Sequence, residues 1–235
     1  MRKFIPLIYG LLLFYSCSSC YLRILLSAAL TDKHFEFRKN QYITSFSTLE
    51  KYGYSDVYIV EALKKKGPTF LDQYSKNVFY ATTNDEHCSN QGINESRTIL
   101  EALYHYNFGP EDMIIKITGR HCLISDYFLN LVQSNPDYDA FVKIANGLMP
   151  AWQDGMIPTM CFAMRCKYLR EFYEQINYEK MKEYDVPIEW VIASYIDKKI
   201  KEGNFKVYVT DRLDIQVNAF ASSASPGLPE QIFNF

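Results

Sequence analysis

The sequence predicts an α/β protein with a doubly wound, mainly parallel sheet and a mixed carboxy-terminal part. Three observations carry this prediction. Short apolar runs alternate with amphipathic segments along most of the chain, which is the pattern of successive βαβ units. The 235 residues, 48% of them hydrophobic, are enough for one large core. No internal repeat or interdomain linker interrupts the order.

Residues 21–220 are expected to form the folded domain, and each predicted strand in it is an apolar run. The predicted strands are 21–30, 57–60, 77–81, 113–118, 138–144, 159–163, 205–210 and 213–219. The predicted helices combine apolar positions at helical spacing with cap residues at their ends. They are 38–51, 69–74, 92–106, 125–135, 165–176 and 186–200. The polar stretch 82–91 between two of these elements is expected to be a loop.

The strand 113–118 carries a charge where a fully buried strand tolerates almost none. Lys116 interrupts the apolar run, so this lysine either has a buried partner or lies on a solvated edge. The strand breaks at Gly119, beside Thr118 and Arg120. Because ligands of open α/β sheets bind at the carboxyl ends of the strands, this turn is a candidate anion site.

The composition narrows the classes of function. A net charge of -2 gives no sign of nucleic-acid binding. The 19 tyrosines and 16 phenylalanines, against 10 glycines, predict a core and a cleft rich in rings. Six cysteines are too few and too scattered to stabilise a fold of this size by disulfide bonds. Buried free thiols are therefore expected among the last four of them, Cys88, Cys122, Cys161 and Cys166.

The first 20 residues have the composition of a signal peptide or membrane anchor. Residues 1–3 are a charged start, residues 4–15 are apolar and small residues follow. Lipid attachment at Cys17 or Cys20 and an extra buried element are the alternatives. Cys17 and Cys20 also form a Cys-x-x-Cys pair, but no βα pattern lies beside it, which disfavours a redox or metal role. We expect membrane association or export through this segment, a cytoplasmic protein otherwise, and a loosely held tail over 221–235.

Several common catalytic motifs are missing. No Gly-x-Gly-x-x-Gly follows the first strand, and no Gly-x-x-x-x-Gly-Lys-Ser/Thr is present anywhere. Their absence disfavours ordinary dinucleotide and P-loop binding. A Gly-x-Ser-x-Gly nucleophile elbow is also missing, which disfavours a hydrolase of that type.

Seven short motifs follow one another over most of the chain after Tyr21. They are Arg38-x-x-x-Tyr42-x-x-Ser45, Val57-Tyr58-Ile59-Val60-Glu61, Gly92-Ile93-Asn94-Glu95, Lys116-Ile117-Thr118-Gly119-Arg120, Tyr138-Asp139, Thr159-x-Cys161-Phe162 and Ile188-Glu189. Their order resembles that of the GT-A-fold (Rossmann-like) nucleotide-sugar glycosyltransferases, especially small viral and bacterial enzymes of polysaccharide synthesis. The resemblance implies an enzyme of the hexosyltransferase type. It would move a sugar from a nucleoside-diphosphate sugar to a glycan or lipid-linked acceptor.

The resemblance also implies roles for individual residues. Those expected to contact the nucleotide sugar are Arg38, Glu61, Asn94, Glu95, Lys116, Thr118, Gly119 and Arg120. Lys116 and Arg120 would offset the diphosphate charge, and Arg38 and Glu61 would lie on the nucleotide side. Glu189 is the expected catalytic base if the transfer inverts the anomeric centre, with a helix-dipole role as the alternative.

Other candidate side chains have two interpretations each. Asn94, as an N-cap, and Glu95, in a first helical turn, are explained equally well without a ligand. Trp152 and Tyr138 either stack on a sugar or belong to the ring-rich core. His121 is either a phosphate donor or a structural histidine.

A divalent metal, Mn or Mg, is a further expectation from the resemblance. The Asp-x-Asp motif that would hold it is expected at the end of the fourth strand, where this chain has Lys-Ile-Thr-Gly-Arg instead. Asp137-Tyr138-Asp139 matches the motif literally but lies beyond the next helix, and Asp85-Glu86 is a second carboxylate pair. The sequence therefore leaves the metal ligands unassigned.

Two other functions stay open at this point. A sugar nucleotidyltransferase requires a carboxylate pair and usually a glycine-rich first loop, but residues 31–37 contain no glycine. The missing Asp-x-Asp motif favours the alternative of a non-catalytic exported α/β binding protein. A nucleotide sugar and its acceptor remain the expected partners.

Overall fold

The computed structural model describes residues 21–30, 35–64, 67–85, 88–145, 155–218 and 232–234. Its strands are β1 (Leu22–Ala28), β2 (Val57–Glu61), β3 (Asn77–Tyr80), β4 (Met113–Thr118), β5 (Cys122–Leu123), β6 (Ala140–Lys143), β7 (Cys161–Arg165), β8 (Val207–Thr210), β9 (Ile215–Asn218) and β10 (Ile232–Asn234). Its helices are α1 (Phe35–Lys51), α2 (Gln91–Tyr106), α3 (Tyr127–Ser134), α4 (Cys166–Gln175), α5 (Tyr178–Glu183) and α6 (Ile188–Lys201). A 3₁₀ helix spans Phe70–Gln73.

Seven strands form the main sheet, in the order β3-β2-β1-β4-β7-β6-β8. Strands β1 to β4 are parallel to one another, β7 pairs antiparallel with both β4 and β6, and β8 is parallel to β6. Six strands therefore share one direction and only β7 opposes them. The predicted fold class, a doubly wound and mainly parallel α/β sheet with a mixed carboxy-terminal part, is confirmed.

A second, antiparallel sheet has the order β10-β9-β5. Strand β9 matches the predicted strand 213–219, but β5, β10 and the six-residue α5 were not predicted. Elements of two or three residues carry no apolar period, so they form only because tertiary pairing supplies their hydrogen bonds.

Side chains that alternate along the strands supply two separate cores. Leu26 and Ile115 point to one face, which we call the α1 face because Tyr42 and Phe46 of α1 pack there with α3. Their neighbours Leu25 and Ile114 point to the opposite α2 face, where α2, α4 and α6 pack. The continuous apolar runs in the sequence follow from this arrangement, because a strand covered on both faces needs apolar residues at every position. The predicted free buried thiols, Cys88, Cys122, Cys161 and Cys166, are confirmed.

Helix α2 begins one residue earlier than predicted. The side chain of Asn90 caps it by accepting a hydrogen bond from the Gly92 N–H at 3.0 Å. The expectation that Asn94 is the cap is wrong, because this residue lies inside the helix and is buried. Asn107 ends the helix with a left-handed φ of 49°, a conformation that asparagine tolerates.

Several predictions concern residues outside the described part of the chain. They include the targeting segment 1–20 with Cys17 and Cys20, and they also include Glu86, Trp152 and most of the tail 221–235. Among the helices that the structure does describe, none has both the length and the apolar character required to span a membrane. Localisation therefore stays a prediction.

Candidate functional site

The chain changes direction across the sheet between β1 and β4. It proceeds outward from β1 through β2 to β3, and then returns to place β4 on the other side of β1. At such a switch point the connections leave a crevice at the carboxyl ends of the two central strands, and ligands of open α/β sheets bind in this crevice. Ser27 and Thr118 lie opposite each other at these ends.

Gly119 allows the turn after β4 to lie directly against β1. Its N–H donates to the carbonyl of Ser27 at 2.9 Å, and the Thr118 N–H donates to the carbonyl of Met160 at 2.8 Å. A Cβ added at Gly119 would lie 2.9 Å from Cε1 of Tyr42 and 3.1 Å from the Ser27 carbonyl oxygen. The absence of a side chain at this position is therefore required for the close approach of the two strand ends.

Lys116 is buried and fully paired. Its Nζ donates to Glu95 Oε1 at 2.6 Å, to Thr118 Oγ1 at 2.9 Å and to the carbonyl of Thr159 at 2.7 Å. Only 1% of its side chain is exposed. The prediction of a buried partner is confirmed, and the alternative of a solvated edge is wrong. Because an ammonium group has three N–H donors, this lysine has no donor left for a ligand while the three contacts persist.

Glu95 connects this lysine to the crevice. Its Oε1 also accepts from Ser27 Oγ at 2.8 Å and from Thr118 Oγ1 at 3.4 Å, while 26% of its side chain remains exposed. Burial alone raises the pKa of Glu95. The ion pair with Lys116 and the hydrogen bonds from Lys116 and Ser27 outweigh burial and hold that pKa below its usual value. Glu95 is therefore an ionised carboxylate at the crevice.

Glu189, in the first turn of α6, is the second carboxylate on this side. Its Oε1 accepts a hydrogen bond from Thr159 Oγ1 at 3.0 Å. Burial raises the pKa of Glu189, and the nearby charge of Glu95 adds to this effect. The hydrogen bond from its own backbone N–H, the Thr159 hydrogen bond and Lys116 act in the opposite direction. The two glutamates thus have pKa values displaced in opposite directions, as is typical of acid and base groups in one site. We call Ser27, Glu95, Lys116, Thr118, Thr159 and Glu189 the Glu95 cluster.

A second group of polar side chains, the Arg38 cluster of Arg38, Tyr42 and Glu61, belongs to the α1 face. Arg38 Nη1 donates to the carbonyl of Ala29 at 3.1 Å, and the Ala29 N–H donates to Tyr42 Oη at 2.9 Å. These contacts hold the segment that follows β1. Tyr42 is buried, and burial raises its pKa, so it stays a neutral phenol.

Arg120 lies between the two clusters. Burial lowers its pKa, and it interacts electrostatically with Tyr42, Arg38 and Glu95. The charge of Arg38 contributes to the lowered pKa of Arg120, and both side chains are half-buried. Two adjacent cations repel each other, and a bound anion with several oxygens relieves that repulsion.

Glu61 is completely buried at the end of β2. Its Oε1 accepts the backbone N–H groups of Leu30, Leu63 and Lys64 at 3.1, 2.8 and 2.9 Å. Its Oε2 is also buried and has no hydrogen-bond partner among the described residues. Burial raises the pKa of Glu61, against the effect of the three backbone donors. This residue thus joins the segments after β1 and β2 through one oxygen.

Asn94 has a local structural role. Its Oδ1 accepts from the Asp85 N–H at 3.0 Å and its Nδ2 donates to the Asp85 carbonyl at 2.9 Å. The side chain therefore holds the loop after β3 against α2. Contact with a nucleotide sugar stays a prediction for this residue, as it does for the other predicted site residues.

The Asp137-Tyr138-Asp139 triplet lies at the opposite edge of the sheet. It precedes β6, which runs in the same direction as β4, so it is at the amino ends of the strands. Asp139 Oδ1 accepts from Arg165 Nε at 3.0 Å and Oδ2 accepts from the Lys206 N–H at 2.9 Å. Tyr138 packs against the rings of Phe141 and Tyr208. In the described residues, no three His, Cys, Asp or Glu side chains are grouped as metal ligands.

His121 follows the turn as a buried, neutral side chain. Burial lowers its pKa well below the usual value, and the cations Arg120 and Lys116 lower it further. Its backbone N–H donates to the carbonyl of Thr118 at 2.9 Å. These contacts favour the structural interpretation of this histidine.

Two members of the Glu95 cluster had no predicted role. Ser27 was included in a predicted strand only, and Thr159 was included in a predicted strand and in the motif Thr159-x-Cys161-Phe162 without a role of its own, although both are hydroxyl residues at strand ends. Their polar character within otherwise apolar runs is the signal that was available. Their partners are 68 and 30 positions away in the chain, so the contacts themselves required the fold.

No protein-family model and no curated protein matches the chain. Among solved structures, it is similar to 4-diphosphocytidyl-2C-methyl-D-erythritol synthase, with 14% identity, a TM-score of 0.45 and coverage of 81% of this chain and 89% of the other. It is similar to a glycosyltransferase involved in the glycosylation of the major capsid of PBCV-1, with 10% identity, a TM-score of 0.42 and coverage of 81% and 84%. It is also similar to the glycosyltransferase GlyE of Streptococcus pneumoniae TIGR4, with 10% identity and a TM-score of 0.45, over 82% of this chain and 45% of that one. At these identities and TM-scores the likeness gives no conclusion about the activity of this chain.

Proposed function

We propose that the chain binds a nucleoside-diphosphate sugar in the crevice between β1 and β4 and transfers the sugar to a hydroxyl group of a glycan or lipid-linked acceptor. One observation carries the proposal. At this switch point Arg38 contacts the backbone after β1 and Arg120 follows the turn after β4, while Ser27 and Thr159 hold the carboxylates Glu95 and Glu189. Cations suit a diphosphate, and carboxylates suit sugar hydroxyl groups and proton transfer.

The reaction requires charge to move toward the diphosphate. The acceptor oxygen forms a bond to the anomeric carbon, and the bond from that carbon to the diphosphate oxygen breaks. The nucleoside diphosphate leaves with the electron pair, and Arg120, with its planar fork of donors, stabilises the charge that develops there. Glu189 takes the proton of the acceptor hydroxyl if the transfer inverts the anomeric centre.

The residues at the end of β4 do not suit a divalent metal. Mg²⁺ and Mn²⁺ prefer carboxylate oxygens, but this turn offers a threonine, a glycine and the cationic Arg120. The nearest ionised carboxylate, Glu95, has Oε1 committed to Lys116 and Ser27. We therefore derive no step through a metal. The described residues support charge compensation by arginine instead.

Titration of the protein with a panel of nucleotide sugars, with Mn²⁺ and with a chelator, tests the proposal. We expect binding that survives the chelator and that weakens about 10- to 100-fold in Arg120→Ala, because a hydrogen bond to a charged group contributes about 1.5–3 kcal/mol. Lys76→Ala is the control, since it removes an 83%-exposed cation beside β3 at the opposite edge of the sheet.

The same samples separate the rival functions. Sugar transfer detected with any donor supports the proposal, and Glu189→Gln should then reduce turnover about 10²- to 10⁴-fold without weakening donor binding. Pyrophosphate release from a nucleoside triphosphate and a sugar phosphate would instead identify a nucleotidyltransferase. A well-folded protein that binds no nucleotide would exclude both enzymes.

A further inference from the structure

Thr159 contacts both Lys116 and Glu189 in the Glu95 cluster. Its carbonyl oxygen accepts from Lys116 Nζ at 2.7 Å, and its hydroxyl donates to Glu189 Oε1 at 3.0 Å. The residue is 7% exposed, so water competes little for either contact. One residue thus joins the ion pair on β4 and α2 to the carboxylate on α6.

The backbone around Thr159 is held from two directions. The carbonyl of the next residue, Met160, accepts from the Thr118 N–H at 2.8 Å, which attaches the turn to the end of β4. On the other side, the Ile157 N–H donates to the carbonyl of Glu189 at 3.3 Å, which attaches the same turn to α6. Since both ends of the turn are fixed, the hydroxyl of Thr159 has a defined position relative to Glu189.

We propose that Thr159 is a positioning residue for Glu189, and that it holds one carboxylate oxygen so that the other takes the proton of the acceptor hydroxyl. This inference rests on the proposed function. Lys116 contributes to this positioning, because it donates to the Thr159 carbonyl and leaves the hydroxyl of Thr159 available to Glu189.

The charges that face Glu189 give the direction of the effect. Burial and Glu95 on α2 disfavour its ionised form, whereas its own backbone N–H, the Thr159 hydroxyl and Lys116 on β4 favour it. Removing the hydroxyl while keeping both charged groups should therefore raise the pKa of Glu189. A base is active only when ionised, so the acidic limb of the pH profile should move to higher pH.

Thr159→Val removes the hydroxyl and keeps the side-chain shape, and Thr159→Ser is the matched control that keeps the hydroxyl. We expect the acidic limb of kcat/KM and the ¹³C titration of the Glu189 carboxyl to move up by about one pH unit in the valine variant. At pH values below the acidic limb, kcat of the valine variant should be about tenfold lower than that of the wild type, while donor KM is unchanged. The serine variant should behave like the wild type. If the valine variant does not fold, Thr159→Ala removes the same hydroxyl with less bulk.

Two outcomes overturn the inference in distinguishable ways. An active wild type whose valine variant keeps both the titration and the pH profile contradicts the positioning role alone. A wild type that turns over no sugar nucleotide contradicts the proposed function, and the positioning role in transfer fails with it. The carboxyl titration needs no substrate, so it still reports whether the hydroxyl controls the ionisation of Glu189.

Discussion

The two polar clusters at the carboxyl edge of the sheet differ in how far their hydrogen-bonding groups are satisfied. In the Glu95 cluster, Lys116 uses all three donors on protein oxygens. On the α1 face, Glu61 Oε2 and Gln41 Nε2 are buried and have no hydrogen-bond partner among the described residues. Each such group costs about 1–3 kcal/mol, and proteins tolerate it mainly where water, an ion or a ligand supplies the partner.

This difference suggests that the Glu95 cluster positions side chains, whereas the Arg38 cluster binds a ligand. A saturated network of charged groups is rigid, and it positions the carboxylates Glu95 and Glu189 without further help. Among the described residues, the Arg38 cluster has a buried carboxylate oxygen without a partner, and this cluster contains the cation that suits an anionic ligand. The predictions below test the two sides separately, from the largest expected effect to the smallest.

Lys116→Met should break the Glu95 cluster. The variant leaves Glu95 without its cation, and removal of one partner of a buried ion pair costs about 3–5 kcal/mol in the free energy of unfolding. Chemical denaturation measures this loss. The control Lys198→Met removes an exposed i,i+4 partner of Glu202 and should cost less than about 1 kcal/mol.

The pH dependence of this variant has a definite sign. The pKa of Glu95 is lowered in the folded protein, so the stability it contributes is present at neutral pH and is lost as the pH falls through its folded-state value. The difference in free energy of unfolding between Lys116→Met and the wild type should therefore become smaller at acid pH. Partial recovery of stability in Lys116→Met/Glu95→Gln would support the ion-pair explanation, and a constant gap at every pH would contradict it.

Gly119→Ala should disturb the boundary between the clusters. The new Cβ would lie 2.9 Å from Cε1 of Tyr42 and 3.1 Å from the Ser27 carbonyl oxygen, and overpacking of this kind costs about 1–3 kcal/mol. Gly109→Ala is the matched control, because its Cβ would meet Cγ of Asp112 at an ordinary 3.5 Å. Equal melting temperatures for the two variants would show that the Tyr42 ring moves aside at little cost.

Glu61→Gln should change only the pH dependence of stability. Burial raises the pKa of Glu61, so the stability linked to its proton is present at acid pH and is lost as the pH rises through the folded-state value. Glutamine does not titrate. The melting temperature of the variant relative to the wild type should therefore increase from pH 4 to pH 7, and parallel curves would show that Glu61 keeps an ordinary pKa.

Much of the fold was predictable because each long element carries its own pattern. The apolar run 113–118 corresponds residue by residue to β4, and the helical spacing of Tyr42, Phe46 and Leu49 corresponds to the buried side of α1. A charge inside an apolar strand requires either a buried partner or a solvated edge, so the sequence limited Lys116 to these two alternatives and the fold decided between them. The identity of the partner was not predictable, since Glu95 is 21 positions away and precedes β4.

The tertiary structure decided what local patterns do not encode. An apolar strand has the same sequence pattern in either direction, so the antiparallel course of β7 depended on its pairing with β4 and β6. The direction of β6 likewise placed Asp139 at the edge away from the crevice. The sequence by itself therefore determined the long strands and helices and the two alternatives for Lys116. Long-range hydrogen bonding alone decided that Lys116 and Thr159 join two distant glutamates into one site.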